Sequence, residues 1–424
     1  MNKKIGNIFK GDKVIWMVFF FLCMISIVEV FSASSNLTYK SQNYMGPITF
    51  HTVTIIIGVI MAVVTVNIPC RYFKLMTPFL LIISGFTLLW VLVGGESING
   101  ANRVISLPGG ITFQPSEIAK GTMVLITAQI LSAMQREDGA DKKAFKYILW
   151  IVLPTAALIG IENLSTAALL CAVIFLMMFI GRVPMIQMGK LLGGVVILVA
   201  VFLTLVLTLG SIGADQEGST QTVETVASNN TTDTKTDTKV IKGGGVFHRF
   251  VTWRNRIIKH LDKKNVSPAD YDLDKDAQVA HANIAIVSSN IIGKGPGQSV
   301  ERDFLSQAFS DFIFAIVIEE LGIIGAFFVV FLYVVLLYRA ARIASRCENN
   351  FPAFLVLGLA LLLVIQATFN MMVAVGLAPV TGQPLPLISK GGTSTIINCA
   401  YIGAILSVSR SAKKRGEKMA VKEI

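Results

Sequence analysis

The chain has 424 residues, of which 53% are hydrophobic and only 15% are charged, and it carries a formal net charge of +11 at pH 7. This composition is typical of an integral membrane protein and excludes an ordinary soluble domain. The positive charge does not indicate a nucleic-acid-binding protein, because the lysines and arginines cluster at the ends of apolar segments. The five cysteines are scattered among or beside those segments, so they indicate neither a disulfide framework nor a metal site.

Long apolar runs predict membrane-spanning helices, and no alternating pattern suggests a β-barrel. The ten predicted spans are 15–33, 51–69, 77–94, 115–135, 147–163, 165–181, 187–210, 311–339, 352–377 and 393–410. The first run is interpreted as a retained span rather than a signal peptide, because no small-residue cleavage site stands out. A polar dip at Glu162 and Asn163 separates the fifth span from the sixth.

The predicted fold class is therefore all-α, a polytopic membrane protein with about ten transmembrane helices. Residues 1–210 hold helices one to seven, residues 211–310 form a large loop, and residues 311–424 hold helices eight to ten and a basic tail. Basic residues mark alternate connections, which by the positive-inside rule places both termini in the cytoplasm and the large loop outside.

The large outer loop divides by composition. Residues 214–238 are rich in Ser, Thr, Asn and Asp, so we expect them to be disordered. Residues 247–261 are typical of a basic amphipathic helix in the outer interface, where Arg249 either meets lipid phosphates non-specifically or has a specific role. A second, mildly amphipathic stretch covers 277–289. The turn Gly293–Ser299 lacks the ending and the strand context of a phosphate loop, so it does not indicate a nucleotide site.

The outer loop meets the eighth span in the stretch Leu305–Gly325. Ser310 is predicted to cap that helix, because its hydroxyl can accept a hydrogen bond from a first-turn amide. Asp311 then lies in the first turn and is either a capping carboxylate or a functional one. Glu319 and Glu320 follow deep in an apolar run, so we expect them to face protein or water rather than lipid.

Three further places carry polar residues within apolar surroundings. Glu117 and Lys120 lie three apart on one face of the fourth span and are expected to pair. Gln366 and Asn370 lie four apart on the ninth span, where hydrogen bonds between helices are the structural explanation. The segment 379–394 has three prolines and three glycines, so it cannot form a regular helix and is expected to line a wet cavity.

Four stretches together resemble one family, the SEDS (shape, elongation, division and sporulation) glycosyltransferases. The family shows an Asn-Gly-Ala-x-Arg loop with a following Gln-Pro-Ser-Glu and lysine, a Gly-x-Gly-x-Ser turn, an Asp-Phe-Ile-Phe-Ala and Glu-Glu-x-Gly block, and a Pro-Val-Thr-Gly-x-Pro-Leu-Pro segment ending in Gly-Gly-x-Ser. The matching residues here are 99–103 with 114–120, 295–299, 310–322 and 379–394. The resemblance covers the whole chain except 214–238.

The sequence departs from the family pattern just before the aspartate. The usual Leu-Pro-Glu-x-His-Thr is changed at four positions, so a role assigned to the missing glutamate cannot be carried over. The four changed residues here are Ser306, Gln307, Phe309 and Ser310. Two departures lie elsewhere: Val104 stands in place of the usual tryptophan after the loop arginine, and residues 161–167 differ from the usual Gln-Pro-Asp-Leu-Gly-Thr-Ala. Asp311 itself is present, which favours its functional interpretation.

The resemblance implies an enzyme that polymerises lipid II into the glycan strands of peptidoglycan, with Asp311 as the general base. It implies that Arg103, Lys390 or a divalent cation, Mg²⁺ or Mn²⁺, neutralises the leaving diphosphate. No other cofactor is implied, and Asp311 is one candidate ligand for such a cation. Further residues that would bind substrate or shape the site are Gln114, Glu117, Lys120, Arg249, Ser299, Ser310, Glu319, Glu320, Gln366, Asn370, Thr381 and Ser394.

The resemblance also implies partners. These are the growing glycan strand, membrane lipids, other membrane proteins of the division machinery, and a class B penicillin-binding protein that cross-links the peptides. Residues 211–310 contain no Ser-x-x-Lys transpeptidase motif, so the cross-linking activity must come from another chain. We expect the partner's helix to dock at Gly322, Gly325 and Gly358, with packing of these glycines inside the chain as the alternative.

Two other functions stay open at this point. One is a flippase for the same lipid, because buried carboxylates with Gln366 and Asn370 also suit a translocation path. The other is a non-catalytic scaffold of the division machinery. The compact length, the basic tail and the Ser-Asp-Phe block look more like the division branch of the family than the elongation branch, which predicts a place in the bacterial cytoplasmic membrane at the septum.

Overall fold

The structure, a computed structural model, describes residues 9–34, 46–98, 101–107, 111–204 apart from 199 and 202, 273–305 and 308–422. This part of the chain is mostly helical, and each predicted span overlaps one of its helices. In chain order they are α1 (Lys13–Ala33), α2 (Gly46–Asn67), α3 (Cys70–Gly94), α4 (Pro115–Ala133), α5 (Lys142–Glu162), α6 (Leu164–Ile180), α7 (Met185–Leu198), α8 (Leu273–Ser288), α9 (Ile313–Ala344), α10 (Asn350–Ala374) and α11 (Thr393–Lys422).

Among the described helices, six are long and apolar enough to cross a membrane, namely α1, α2, α3, α5, α9 and α10. Helices α6 and α7 are apolar but shorter. Helices α4 and α11 carry several buried polar side chains, which lowers their hydropathy. The predicted all-α polytopic fold class is confirmed, and the chain is a multi-pass membrane protein. The cytoplasmic placement of the two termini stays a prediction.

Short strands connect α3 to α4, a feature that the apolar pattern did not predict. Strands β1 (Glu96–Ile98), β2 (Ala101–Leu107) and β3 (Ile111–Phe113) form an antiparallel sheet in the order β1-β2-β3. A second pair, β4 (Gln135–Arg136) and β5 (Gly139–Ala140), makes the turn after α4.

Several helix boundaries follow local chemistry. Pro115 occupies the first turn of α4, where its missing amide proton costs nothing. Asn163 caps α6 by accepting hydrogen bonds from the amides of Ser165 and Thr166, so the predicted break between the fifth and sixth spans is confirmed. Asp12 caps α1 and also pairs with Arg339 of α9.

The core lies where α10 packs against α4, α6 and α9, and α11 packs against α2. Gly358 of α10 allows a close approach of this helix to α4 and α6. A Cβ atom at this position would lie 2.6 Å from Val124 Cγ1 and 2.7 Å from the Met177 side chain, so a larger residue would push α10 away from α4 and α6.

Helix α9 is broken at Gly322, whose φ of 70° and ψ of −171° are not helical. The loop that follows α8 packs its backbone into the break. Ile324 N donates to Ile291 O at 3.3 Å, and Lys294 N donates to Glu319 O at 3.0 Å. A Cβ atom at Gly322 would lie 2.4 Å from Ile291 O, so glycine is required both by the positive φ and by the contact.

These contacts bear on the predicted docking surface for a partner helix. Gly322 and Gly358 are buried against other parts of the same chain, and an added Cβ at Gly325 would meet its own helix at Leu321. The structure therefore favours the alternative, in which these glycines pack the chain internally.

The predicted start of the eighth span is wrong by a few residues. Helix α9 begins at Ile313, its N-cap residue is Phe312, and no side chain caps it. Ser310 does not cap the helix, and Asp311 lies in a turn just before it rather than in its first turn. The physical reason is that the carbonyl groups of this turn are bonded to other parts of the chain, as described below.

Two predictions for the outer loop lie outside the described residues: the disorder of 214–238 and the amphipathic helix at 247–261 with Arg249. The second amphipathic stretch is confirmed as α8. Residues 186–271 form a separate compact unit, of which the described part is helical between 186 and 204.

Candidate functional site

Three consecutive backbone carbonyls before α9 are each held by a different donor. Phe309 O accepts from the amide of Lys390 at 2.9 Å. Ser310 O accepts from Ser389 Oγ at 2.6 Å, and Asp311 O accepts from Asn370 Nδ2 at 2.9 Å. We call these three bonds the carbonyl ladder. Because the ladder ties the turn to α10 and to the segment after it, the position of Asp311 is set by tertiary contacts and not by the helix that follows.

The side chain of Asp311 is mostly buried, with 7% of the residue exposed. Ser310 Oγ donates a hydrogen bond to Asp311 Oδ1 at 3.1 Å. Asp311 is thus a carboxylate with a fixed backbone and a neighbouring hydroxyl, which is the arrangement that a general base needs. Ser310, predicted as a cap, instead orients this carboxylate.

A buried ion pair lies on α4 and is bonded to α10. Lys120 Nζ lies 2.8 Å from Glu117 Oε1 and donates to Gln366 Oε1 at 2.7 Å, and both charged residues are almost completely buried. The predicted pairing of Glu117 with Lys120 and the predicted interhelical role of Gln366 are confirmed. Burying two charges is expensive unless they are paired and hydrogen-bonded, so this cluster depends on all its members.

The segment between α10 and α11 is irregular, as its prolines and glycines predicted. Asn370 Nδ2 donates to Gln383 O at 2.7 Å as well as to Asp311 O, and Gln383 Nε2 donates to Thr166 Oγ1 at 2.5 Å. Gln366 Nε2 donates to Pro384 O at 3.1 Å. The segment is thereby held against α6 and α10, with Asn370 as the residue that joins it to Asp311.

Some polar atoms around this network have no hydrogen-bond partner among the described residues. They are Glu117 Oε2, Asn370 Oδ1 and Thr381 Oγ1, and all three residues are buried. Ser394 is also buried, but its hydroxyl donates to Gly391 O at 2.9 Å and so closes its own turn. The network therefore keeps spare hydrogen-bonding capacity on Glu117, Asn370 and Thr381.

Lys390 brings a positive charge next to the turn that carries Asp311. Its Nζ lies 5.1 Å from the centroid of the Phe309 ring. Burial lowers the pKa of the Lys390 ammonium from its ordinary value, and a bound anion would favour the charged form again.

The start of α11, which follows Lys390 by three residues, contacts strand β3 and the start of α4. Thr393 Oγ1 donates to Thr112 O at 2.8 Å and accepts from the amide of Gln114 at 3.4 Å. Gln114 thus contributes its backbone to this junction. Arg103 lies in β2, and its side chain is not among those that the structure describes.

Glu319 and Glu320 face protein and hold the loop after α8. Glu320 accepts from the amides of Gly297 and Ser299 at 2.8 and 3.1 Å, and from the hydroxyl of Ser32. Glu319 accepts from Lys294 Nζ at 2.6 Å and from Ser299 Oγ at 2.5 Å. Their lone pairs are taken by the chain, so these residues and Ser299 shape the molecule through the loop and do not present free carboxylates. We call this arrangement the carboxylate clamp.

A polar stripe on α1, which we did not predict, runs beside the clamp. Ser26 Oγ donates to Ile388 O at 2.7 Å and lies 2.9 Å from His51 Nε2, while Ser32 binds Glu320. Glu29 lies between them with no exposed surface, and its carboxylate oxygens have no hydrogen-bond partner among the described residues. The spacing of Ser26, Glu29 and Ser32 by three residues was the sequence signal for this stripe.

Within the described ranges, the side chains do not make a metal site by their chemistry. Among the described residues, no group of three or more His, Cys, Asp or Glu side chains could hold a metal ion. Asp311 alone is an insufficient donor set, because Mg²⁺ and Mn²⁺ prefer several oxygen ligands. The described donors around Asp311 therefore do not favour a divalent cation there, and the expectation of one stays a prediction.

Comparison with known proteins identifies relatives along the whole chain. The family model FTSW_RODA_SPOVE, described as "Cell cycle protein", matches residues 12–213 and 240–414. The "Peptidoglycan glycosyltransferase MrdB" of Escherichia coli K12 is 26% identical over 404 residues, covering 95% of this chain and 94% of that protein. The "Probable peptidoglycan glycosyltransferase FtsW" of Coxiella burnetii is 26% identical over 407 residues, covering 93% and 95%.

Solved structures show the same fold. One, described as "Structural coordination of polymerization and crosslinking by a peptidoglycan synthase complex", is similar with a TM-score of 0.66 and 22% identity, covering 95% of this chain and 98% of that one. The rod shape determining protein RodA of Thermus thermophilus is similar with a TM-score of 0.59 and 20% identity, covering 95% and 97%.

Proposed function

The chain belongs to the FTSW_RODA_SPOVE family of cell cycle proteins, the SEDS peptidoglycan glycosyltransferases, and we propose that it polymerises lipid II into glycan strands with Asp311 as general base. The observation that carries this proposal is the carbonyl ladder, which fixes a buried carboxylate in a motif that the family resemblance singles out. A fixed base within reach of a hydroxyl is what glycosyl transfer requires of a protein side chain.

The proposed reaction is a single displacement. The 4-hydroxyl of the acceptor sugar attacks the anomeric carbon of the growing strand, the bond from that carbon to the lipid diphosphate breaks, and Asp311 takes the hydroxyl proton. One displacement inverts the anomeric carbon from α to β, so no covalent enzyme intermediate is needed. Asp311 regains its ionised form by releasing the proton to water.

The leaving diphosphate carries negative charge that must be stabilised. Lys390 supports this role, because it lies beside the turn of Asp311 and forms no ion pair in the described part of the chain. Arg103 is a second candidate. Lys120 is not free for the task, because it is bonded to Glu117 and Gln366.

Purified protein in detergent, incubated with labelled lipid II and analysed on a gel, tests the function. The polymerase predicts a ladder of glycan strands that lengthens with time. The flippase alternative predicts movement of lipid II across proteoliposome membranes without any polymer, so both quantities are measured on the same preparation. Movement without polymer would contradict the proposal.

Within the family, we propose the division branch. The Ser-Asp-Phe block and the basic tail support it, while relatives of similar identity carry both the MrdB and the FtsW names. A fluorescent fusion is expected to concentrate at midcell. A signal spread along the side wall would assign the chain to elongation instead.

The proposed partner is a class B penicillin-binding protein, which supplies the cross-linking activity that residues 211–310 lack. The likeness to a structure described as a complex for polymerization and crosslinking supports this choice. The expected result is co-purification of such a transpeptidase with the tagged chain from native membranes. Its absence from the eluate at full yield of the tagged chain would count against the partnership.

A further inference from the structure

Phe309 and Lys390 touch each other twice. The amide of Lys390 donates to Phe309 O at 2.9 Å, and the Lys390 ammonium lies 5.1 Å from the centroid of the Phe309 ring. A cation within about 6 Å of an aromatic ring centroid is attracted by the ring's negative face. Backbone and side chain together therefore fix where the ammonium lies.

The ammonium pairs with no carboxylate in the part of the chain that the structure describes. In the described ranges, Lys390 forms no salt bridge, whereas Lys120, Lys294 and Arg339 each pair with a carboxylate. Burial is the cause of the lowered pKa of the Lys390 ammonium. An incoming anion can therefore bind Lys390 without first displacing a carboxylate from it.

The place of this contact connects it to the reaction. Phe309 is the first residue of the carbonyl ladder, and Asp311 is the third. The ring that orients the cation and the carboxylate that takes the proton therefore share one turn of backbone. A lysine side chain is long and flexible, so holding it beforehand lowers the entropy cost of binding an anion with it.

Resting on the proposed polymerase function, we infer that Phe309 is a positioning residue that holds the Lys390 ammonium ready for the diphosphate of lipid II. Phe309 itself touches neither the sugar nor the diphosphate. It acts through Lys390, because its ring attracts the cation and leaves the positive charge available. An acidic residue in the same place would neutralise that charge.

The test is a double-mutant cycle on the purified full chain with lipid II as substrate. Phe309→Leu keeps an apolar side chain but removes the ring face, and we expect kcat/KM to fall about 3- to 20-fold, because a displaced Lys390 ammonium stabilises both the bound and the leaving diphosphate less well. Phe309→Tyr restores the ring and is expected to return kcat/KM to the wild-type range. Phe304→Leu is the matched control, because Phe304 stacks on His281 and lies outside the ladder.

The decisive arm combines Phe309→Leu with Lys390→Met. If Phe309 acts through Lys390, the double variant has the same kcat/KM as Lys390→Met alone, because coupled residues do not add. An undiminished Phe309→Leu effect in the Lys390→Met background would overturn the inference, and so would a wild-type kcat/KM for Lys390→Met. If Phe309→Leu fails to accumulate in membranes, Phe309→Met replaces it in the same cycle.

These outcomes are separate from failure of the proposed function. A chain that makes no glycan strands at all refutes the polymerase. A chain that polymerises normally with additive Phe309 and Lys390 effects refutes only the positioning role.

Discussion

At the scale of single residues, Asn370 ties parts of the candidate site together. One amide group on α10 donates both to Asp311 O and to Gln383 O, so it joins the turn that carries Asp311 to the irregular segment before α11. Ser389 and Lys390 hold the two neighbouring carbonyls, and both belong to the irregular segment itself, whereas Asn370 lies on α10. The geometry of Asp311 therefore depends on a residue that lies 59 positions away in the sequence.

Replacing Asn370 with alanine is expected to reduce glycan polymerisation at least tenfold and to destabilise the protein by about 1–3 kcal/mol. The change leaves two buried carbonyl groups without their donor. Polymerisation is measured on gels and stability by thermal unfolding in detergent. Thr368→Ala is the matched control, because Thr368 lies on the same helix and its hydroxyl bonds to its own backbone at an exposed position.

The sequence pattern predicted contacts between residues close in the chain. For contacts between distant residues it predicted the kind of bond but not the partner. The Glu117 and Lys120 pair followed from their spacing on one helix, and the pair forms. That Gln366 would bond to Lys120 across 246 residues could not be read from the sequence, although an interhelical bond was expected. Ser310 was misassigned as a cap, because nothing in the local sequence shows that Ser389 takes its carbonyl.

At the scale of elements, the carboxylate clamp explains how a helix with an internal break stays ordered. The break in α9 at Gly322 exposes backbone groups, and the loop after α8 satisfies several of them through Lys294 N and Gly295 N. The two carboxylates just before the break bind the same loop through their side chains. The part of α9 between Asp311 and the break at Gly322 is therefore held by the loop as well as by neighbouring helices.

The clamp predicts different responses from two buried glutamates. Glu320→Gln replaces one acceptor oxygen by a donor, so that either Gly297 N or Ser299 N loses its acceptor, and should destabilise the protein by about 1.5–3 kcal/mol. Glu29→Gln on α1 removes a carboxylate that accepts no hydrogen bond from the described residues, and should change stability by less than about 1 kcal/mol. Thermal unfolding of both variants in the same detergent checks the contrast. Equal losses would show that the clamp does not depend on the Glu320 oxygens.

Helices whose position follows from the length and composition of an apolar run were predicted correctly. Elements that depend on the backbone conformation of particular residues were not. Apolar runs longer than about 18 residues have few alternatives to a spanning helix, and all ten predicted spans fall on helices. The positive φ at Gly322 and the strands β1 to β3 leave no such signature in composition. The polar dip that separates α5 from α6 was readable, because Asn163 is a strong capping residue.

At the scale of the whole molecule, the family match and the composition agree on where the chain tolerates change. The match stops at residue 213 and resumes at residue 240. The interval is almost the same as the polar segment 214–238, which has little apolar surface to bury.

Deleting residues 214–238 is therefore expected to leave function intact. Shortening a loop changes its closure entropy only slowly, so the cost should be below about 1 kcal/mol. Growth of cells that depend on the deleted protein, compared at equal membrane abundance, is the measurement. Loss of growth at normal abundance would show that the segment has a role of its own.

The proposed function depends on Asp311 as the base of a polymerase, held by the rest of the molecule. This role is tested most directly by the yield of glycan strands from lipid II by purified Asp311→Asn, a nearly isosteric change that removes the proton acceptor. Asp303→Asn, in the exposed turn after the clamp, is the matched control. We expect wild-type yield from the control and no strands above background from Asp311→Asn, with thermal stability and lipid II binding retained in both. Near-normal polymer from Asp311→Asn would contradict the proposed role of this carboxylate.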